Sequence, residues 1–207
     1  MIVAVGDDPP SPEALQLAIE ILTRGRPIGL PTDTVYGLAA DAFAPGAADR
    51  IFALKRRPRH VSLPVLVSGT DQALALATAV PDTAATLMAR FWPGALTLVV
   101  PARAGLAADL GDDDATVGLR CPDHPVPLAL CAAVGPLATT SANRHGGPPL
   151  TTAADVQAAF GGALLAVLDG GTCSGSPSTV VDCTGAEPKL LRAGRLPWAD
   201  LLTALEG

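Results

Sequence analysis

Helical and strand-like hydrophobic patterns alternate along this chain, and the alternation restricts its fold more than any other feature of the sequence. The first helical pattern is the clearest: Ser11 can cap it, Pro12 suits its first turn, and apolar residues recur at helical spacing from Leu15 to Leu22. Gly25 follows and predicts the end of the helix. A chain that alternates in this way is expected to form a layered α/β structure.

The remaining elements predict a sheet with both parallel and antiparallel strands. Further helical patterns cover residues 47–54, 71–80, 82–91, 125–134, 152–160 and 198–205. Strand patterns cover residues 27–30, 63–67, 96–100, 116–120, 136–139, 163–168, 179–182 and 190–192. Because strand patterns follow one another directly near the C-terminus, we expect a mixed sheet flanked by helices. The sequence contains no repeat and no long linker, so a single domain over residues 1–207 is expected.

The chain is long and apolar enough to form its own core, since 49% of its 207 residues are hydrophobic. Its apolar runs, such as residues 128–134 and 163–168, stop well short of the roughly 20 residues that a membrane-spanning helix needs. The N-terminus has no basic start, and it reaches Asp7, Asp8 and two prolines too early for a secretion signal. We therefore expect a cytoplasmic protein with no membrane segment.

Neither the cysteines nor the net charge indicates a metal site or a broad nucleic-acid surface. Cys121, Cys131, Cys173 and Cys183 form no CxxC pair, so reduced thiols and no bound metal are expected. A net charge of −6 disfavours nonspecific binding of nucleic acid, which depends on neutralising many phosphates at once. The exception is local, because residues 55–60 are rich in basic side chains.

Two polar segments far apart in the sequence suggest one anion-binding cleft built from distant loops. Lys55 and Arg57 lie two apart, and Pro58 biases the segment toward an extended form in which both cations face the same side. A solvated basic helix end is the alternative. Residues 139–143 (TTSAN) place three hydroxyls and an amide after an apolar strand, enough to bind phosphate or sugar oxygens, with a helix N-cap as the alternative.

A third segment, residues 31–38 (PTDTVYGL), contributes to the same candidate cleft. Pro31 must end the preceding strand, which leaves two hydroxyls and a carboxylate where open α/β sheets bind ligands. An ordinary Thr/Asp turn is the alternative. The sequence has no GxxxxGK[ST], GxGxxG or GxSxG motif, so a nucleotide bound here would need another cradle.

Taken together, the motifs resemble the YrdC-like family. The matching strings, in the family's order and spacing, are PTDTVYGLAADA (31–42), LKRRP (54–58), FWPGALTLVV (91–100), VGLRCPDHP (117–125), TTSAN (139–143), STVVD (178–182) and LLRAGRL (190–196). The resemblance runs from about residue 12 to about residue 205. It implies a twisted α/β fold around a concave basic pocket. It also implies a reaction that joins L-threonine, bicarbonate and ATP into threonylcarbamoyl-adenylate with release of pyrophosphate.

The resemblance further implies cofactors and partners. Mg²⁺ is expected on the triphosphate of ATP with few protein ligands, because this ion keeps its waters. The product is expected to supply N6-threonylcarbamoyladenosine (t6A) modification beside the anticodon of tRNA, through a tRNA threonylcarbamoyl-transferase complex. Weak RNA binding by the chain itself stays open.

The resemblance assigns ten candidate site residues. The expected ATP positions are Lys55, Arg57, Thr116, Ser141, Asn143 and Arg192, of which the Lys-x-Arg and Ser-x-Asn pairs would polarise the phosphates and carry the catalysis. The expected L-threonine positions are Thr32, Arg120, Thr139 and Ser178. Arg120 would hold the threonine carboxylate, since a guanidinium binds a carboxylate through two parallel hydrogen bonds.

The chain leaves the family pattern in two places, and no base is evident. Residues 59–62 (RHVS) stand where many relatives carry a polar Asn or Lys, so the nucleotide contact there is in doubt. Residues 66–68 (LVS) stand where some relatives place a histidine near threonine. Asp33 and Asp41 are candidate bases only by their place in the sequence. The chain ends at Gly207, which fits the short, single-domain type of the family.

Two competing functions remain. A carbamoyltransferase that forms a carbamoyl-adenylate also contains a YrdC-like domain, but such chains are much longer. A noncatalytic RNA-binding module would use the basic segment as a surface patch, and it predicts steeply salt-dependent RNA affinity and tolerance of Ser141→Ala.

Overall fold

The fold is a single ten-stranded sheet with helices packed against it. The computed structural model describes residues 1–6, 9–104, 108–112, 115–144 and 146–206. The strands are β1 (Ile2–Ala4), β2 (Ile28–Leu30), β3 (Gly37–Asp41), β4 (Val65–Leu66), β5 (Leu96–Pro101), β6 (Thr116–Arg120), β7 (Leu137–Ser141), β8 (Val167–Asp169), β9 (Thr179–Asp182) and β10 (Lys189–Arg192). The helices are α1 (Pro12–Thr23), α2 (Ala47–Lys55), α3 (Thr70–Leu76), α4 (Asp82–Phe91), α5 (Pro125–Val134), α6 (Ala153–Phe160) and α7 (Trp198–Glu206).

The sheet is open and mixed, as the sequence predicts. Its strand order is β1-β8-β2-β3-β7-β4-β6-β5-β9-β10. The neighbours β1 and β8, β2 and β8, β4 and β6, and β5 and β9 run parallel, whereas the other neighbouring pairs run antiparallel. The expected fold class, a twisted mixed open sheet flanked by helices, is confirmed.

Helix α1 forms where the sequence predicts it. The Ser11 hydroxyl accepts a hydrogen bond from the Ala14 N–H at 3.3 Å, and Pro12 occupies the first turn. Gly25 adopts a φ of +67°, which costs a glycine little, and so allows the chain to leave the helix. At 12 residues, α1 is the longest helix in the described ranges. In those ranges no helix has the length and apolar character that a membrane span demands.

Several elements differ from the sequence prediction, among them β1, which was not predicted, and β4, which is shorter than the expected 63–67. Helix α3 ends at Leu76 rather than at residue 80, because Ala77 forms an antiparallel bridge with Ala102. Residues 161–163 form a 3₁₀ turn, so the strand expected over 163–168 is the shorter β8. Strand β3 was not predicted, because glycine and alanine have little intrinsic preference for a strand. Its neighbours β2 and β7, which pair with it on both sides, decide its conformation.

The alternation of side chains along the central strands separates the core from the site. In β5, Leu96 and Leu98 are fully buried against α4 and α7 in one hydrophobic cluster. Thr97 and Val99 point to the opposite face. Helices α1 and α5 cover part of that second face, where they pack with Leu66 of β4. The rest of the second face forms the wall of a cavity.

Candidate active site

A cavity of about 580 Å³ opens on the second face of the sheet. It brings together nine of the ten candidate site residues: Thr32, Arg57, Thr116, Arg120, Thr139, Ser141, Asn143, Ser178 and Arg192. The tenth, Lys55, is hydrogen bonded to two of them. These side chains come from several strands and loops spread over residues 32–192, so the sheet assembles one site from distant segments.

Lys55 is buried beneath the cavity rather than exposed at a helix end. It is the last residue of α2 and is 3% exposed. Its ammonium group donates hydrogen bonds to the main-chain carbonyl of Ser141 and to Oδ1 of Asn143, the latter at 3.2 Å. The solvated helix end that the sequence left open is therefore excluded. The buried lysine joins the two distant polar segments directly.

The chain turns sharply between Lys55 and Arg57. Arg56 adopts a left-handed conformation with a φ of 53°, which ends α2 and is uncommon for a residue with a side chain. The expectation of one extended segment is therefore wrong, because Lys55 is helical. Arg57 follows the turn and donates hydrogen bonds to the carbonyls of Val61 at 2.7 Å and Ser62 at 2.9 Å. Arg57 thus closes the loop that forms one wall of the cavity.

Ser141 and Asn143 lie at the end of β7 and in the loop that follows. Oδ1 of Asn143 accepts hydrogen bonds from the Ser141 hydroxyl and from Lys55, which fixes Nδ2 as the donor. That amide nitrogen donates to the Gly147 carbonyl at 2.6 Å. The helix N-cap alternative is wrong, because β7 continues through Ser141 and the next helix, α6, begins at Ala153.

Arg192 reaches the cavity from β10, the edge strand of the sheet. Its guanidinium donates to the Ser178 carbonyl at 2.8 Å and to the Ser178 hydroxyl at 3.0 Å. The Ser178 hydroxyl lies 2.9 Å from the Thr97 hydroxyl. Thr97 is a cavity residue that the sequence analysis did not single out. A threonine among the apolar residues of β5 was the available signal.

Arg120 is paired with Asp33, which the sequence analysis did not foresee. The two side chains are both largely buried, and Nη2 of Arg120 lies 2.5 Å from Oδ1 of Asp33. Arg120 also donates to the Thr34 hydroxyl at 2.9 Å and to the Gly94 carbonyl at 3.0 Å. We call Arg120, Asp33 and Thr34 the ion-paired cluster.

Thr32 organises the turn that carries Asp33 and Thr34. Its hydroxyl donates to the Val35 carbonyl at 2.7 Å and accepts from the main-chain N–H groups of Thr34 and Val35. A hydroxyl has one proton, so Thr34 must be the donor in the 3.0 Å contact between the two threonine hydroxyls. The chain of hydrogen bonds therefore runs in one direction, from Arg120 through Thr34 and Thr32 to Val35.

The cations around the cavity repel one another. Burial and then the charge of Arg57 lower the pKa of Lys55 to about 8. Burial and then the charge of Arg192 lower the pKa of Arg57. We call Lys55, Arg57 and Arg192 the cationic cluster. Among the residues that the structure describes, none of the three forms an ion pair with a carboxylate, so the cluster is ready to bind an anion.

Residues 59–63, which follow Arg57, contribute both to the protein surface and to the wall of the cavity. Arg59 points to the surface, where it pairs with Asp49, Asp109 and Asp112. Its guanidinium also lies 5.0 Å from the centre of the Phe52 ring. Residues 61–63 line the cavity. Arg59 therefore supports the wall of the cavity from the protein surface.

The two candidate bases lie near opposite ends of β3. Asp33 belongs to the ion-paired cluster beside the cavity. Asp41 lies at the opposite end of β3 from Gly37, which lines the cavity. The Asp41 carboxylate accepts a hydrogen bond from the Phe43 N–H at 2.9 Å. Asp41 is therefore excluded as a base by its distance from the cavity.

The fold and the site define an α/β protein whose open sheet holds a cationic pocket on one face. The sequence model of the Sua5, YciO and YrdC proteins, which is described as "Telomere recombination", matches residues 20–194. The chain belongs to this family.

Relatives and solved structures agree with this assignment. The chain is 42% identical over 178 residues to a putative threonylcarbamoyl-AMP synthase of Mycobacterium tuberculosis, a match that covers 86% of this chain and 82% of the relative. Sua5 of Pyrococcus abyssi, solved with L-threonine, superposes with a TM-score of 0.93 at 36% identity. That match covers 99% of this chain but only 61% of the solved chain. YciO of Escherichia coli, at 24% identity and a TM-score of 0.86, shares the fold.

Proposed function

We propose that this chain is a threonylcarbamoyl-AMP synthase. The observation that carries the proposal is the cavity itself, which gathers three unrelated motifs of the sequence around one cationic pocket. Relatives with 36–43% identity over most of the chain carry the name threonylcarbamoyl-AMP synthase. The reaction would convert L-threonine, bicarbonate or CO2, and ATP into threonylcarbamoyl-AMP and pyrophosphate.

The cationic cluster would bind the triphosphate of ATP. Lys55, Arg57 and Arg192 repel one another in the free protein, and a polyanion relieves that repulsion. During attack on the α-phosphorus, negative charge builds on the departing pyrophosphate, and fixed cations stabilise it. Ser141, Asn143 and Thr116 would hold the nucleotide in place by hydrogen bonds.

The ion-paired cluster would hold L-threonine beside the nucleotide. Arg120 would bind its carboxylate, while Thr32, Thr139 and Ser178 line the adjoining wall. The neutral amine of threonine would add to CO2 or bicarbonate to form a carbamate, with loss of a proton or of water. A carbamate oxygen would then attack the α-phosphorus, forming one P–O bond as the bond to pyrophosphate breaks. Positioning of the three reactants in one enclosed pocket would supply much of the rate.

The remaining expectations complete the proposal. Mg²⁺ would arrive on the triphosphate. Among the described residues no group of three or more His, Cys, Asp or Glu could hold a metal. The protein would act as one domain in the cytoplasm, and its product would pass to a tRNA threonylcarbamoyl-transferase complex.

The proposal is tested by measuring pyrophosphate release from ATP, Mg²⁺ and bicarbonate with and without L-threonine. We expect release only when threonine is present, and we expect L-serine to be a poorer substrate. The nucleotide product is identified by mass spectrometry as threonylcarbamoyl-AMP. Equal pyrophosphate release without threonine would overturn the proposal.

The placement of three basic side chains of residues 55–60 argues against an RNA-binding surface. Lys55 is buried, Arg57 lines the cavity and Arg59 is surrounded by three aspartates. These side chains are therefore poorly placed to neutralise the phosphates of an extended RNA. The likeness to HypF, at 16% identity and a TM-score of 0.75, shows a shared fold alone.

A further inference from the structure

We propose that Asp33 sets the selectivity of the cavity: it positions Arg120 and cancels its charge, so that phosphates occupy the cationic cluster and a carboxylate occupies Arg120. This inference rests on the proposed function, because it assigns the two substrates to different clusters. Asp33 is therefore a positioning residue rather than a base.

The hydrogen bonds of Arg120 leave room for one carboxylate. A guanidinium has five N–H donors. In Arg120, Nε donates to Gly94, one N–H of Nη1 donates to Thr34, and one N–H of Nη2 donates to Asp33. One N–H remains on each terminal nitrogen, so Arg120 can still donate to a carboxylate in the cavity. Arg120 is 7% exposed, so its few contacts with solvent lie on the cavity side.

The main chain of Asp33 and its neighbour is held by hydrogen bonds from two distant segments. Its main-chain carbonyl accepts hydrogen bonds from the Arg195 guanidinium at 2.9 Å and from the Ser174 hydroxyl at 3.1 Å. The neighbouring Thr34 carbonyl accepts from the Gly175 N–H at 2.9 Å. Two distant segments therefore hold the main chain of the turn in place, which fixes the position from which the Asp33 side chain reaches Arg120.

The negative charge of Asp33 makes Arg120 different from the other cations of the cavity. Arg57 and Arg192 line the same cavity without a carboxylate partner among the described residues. A triphosphate carries several negative charges, so it gains most where cations are not neutralised. An amino acid is a zwitterion. Its carboxylate gains from the remaining N–H groups of Arg120, while its ammonium group avoids a strongly cationic environment. The single carboxylate thus prevents triphosphate from occupying the amino-acid position.

The test is the effect of inorganic triphosphate on L-threonine binding. Asp33→Asn keeps the size of the side chain and an acceptor oxygen for Arg120, but it removes the charge. Binding of L-threonine is measured by calorimetry with and without saturating triphosphate. In the unmodified protein we expect the two ligands to bind together, with the Kd of threonine changed by less than about threefold. In Asp33→Asn we expect triphosphate to raise that Kd by about tenfold or more, since it can now reach Arg120.

Two further variants test whether an effect of Asp33→Asn comes from the lost charge rather than from misfolding. Asp33→Glu retains the carboxylate and should keep threonine binding insensitive to triphosphate. Asp41→Asn makes the same change on the far end of β3, outside the cavity, and should behave as the unmodified protein. Thermal unfolding shows whether each variant is folded.

The outcomes distinguish this inference from the proposed function. If the unmodified protein binds no L-threonine, the proposed function fails. If it binds threonine and Asp33→Asn shows the same insensitivity to triphosphate, the role of Asp33 is wrong and the synthase proposal stands. If Asp33→Asn is folded but binds no threonine even without triphosphate, Asp33 positions Arg120 but does not select between the ligands, and the selectivity proposal is overturned.

Discussion

The cationic cluster and the ion-paired cluster face the same cavity, but they differ in how their charge is compensated. Lys55, Arg57 and Arg192 are held by carbonyl and hydroxyl oxygens. Arg120 is held by a buried carboxylate as well. Carbonyl groups orient a cation without neutralising it, whereas a carboxylate does both. The same residue type can therefore serve two different ligands in one pocket.

The difference shows what the fold contributes to recognition. A cavity lined only by uncompensated cations would bind the most highly charged ligand at every position. The placement of one aspartate behind one arginine divides the cavity into a region suited to a polyanion and a region suited to a zwitterion. The predictions below test the two clusters separately, beginning with the change expected to have the largest effect.

Lys55→Ala should be the most damaging substitution in the cationic cluster. It removes a buried charge that donates to both Ser141 and Asn143, so each of these oxygens loses one hydrogen bond. We expect a loss of at least about tenfold in kcat/KM for ATP, equivalent to about 1.4 kcal/mol of transition-state stabilisation. Arg57→Ala should show a loss of similar size. Steady-state pyrophosphate release measures both.

Lys189→Ala is the matched control for this prediction, because Lys189 is exposed on β10. It should retain activity. Full activity in Lys55→Ala would show that the cationic cluster does not act on the phosphates.

Gly118→Val should block the cavity between the clusters. Gly118 lies on β6 between Thr116 and Arg120, and all three line the cavity. A Cβ at this position would meet Pro64 at 3.5 Å, an ordinary contact, so the protein should fold while the larger side chain fills the site. We expect activity to fall by about tenfold with little change in stability.

A graded series sharpens the Gly118 prediction. Gly118→Ala should lie between the parent and Gly118→Val in its KM values for both substrates. An unchanged KM for ATP and for threonine in the valine variant would mean that the substrates bind elsewhere. Thermal unfolding of each variant separates this result from misfolding.

Affinity for ATP should fall as the pH rises through about 8. Burial and Arg57 lower the pKa of Lys55 to about 8, so the free protein loses this charge above that pH. In the unfolded chain this pKa is about 10.4, so the free energy of unfolding should rise with pH between these two values, because the folded protein has already lost the unfavourable buried charge. Calorimetric titration of ATP from pH 6.5 to 9.5 measures the effect on binding. Lys55→Arg should move the fall to higher pH, and an unchanged profile would assign the titration to another group.

Arg59→Gln should have the smallest effect, because Arg59 acts on the wall of the cavity from the surface. It joins α2 to residues 109–112 through three exposed aspartates. Exposed ion pairs contribute little, so we expect the free energy of unfolding to fall by less than about 1 kcal/mol, with a smaller difference at high salt. Urea unfolding at low and high salt measures this. Arg103→Gln, at another exposed arginine, is the control, and an equal effect of both would remove any special role from Arg59.

Local patterns were sufficient for most of the helices and for most of the strands, although the edge strand β1 was not predicted. Helix α1 was predictable from sequence, because the local backbone and side-chain preferences of Ser11, Pro12 and Gly25 are enough to define its two ends. Strand β3 was not, because its Gly-Leu-Ala-Ala-Asp sequence has weak preferences and its strand conformation depends on β2 and β7. The left-handed turn at Arg56 was hidden for a similar reason, since the end of α2 depends on contacts with the rest of the fold.

The candidate site was likewise predicted only in part from the sequence. The motifs identified which side chains to consider, and nine of the ten line one cavity. The sequence did not reveal that Asp33 pairs with Arg120, because the two are far apart in the chain and meet only when β6 packs beside the turn after β2. It also did not reveal that the hydroxyl of Thr32, which lines the cavity, is hydrogen bonded within its own turn.

The sequence by itself determined the α/β class, the mixed sheet and the kinds of side chain available to the site, because these depend on local preferences and on hydrophobic periodicity. Only the tertiary structure decided that Lys55 is buried, that Arg59 faces outward and that one arginine of the cavity is neutralised. Burial and charge pairing depend on distances between segments that are remote in sequence, and those distances exist only after the chain has folded.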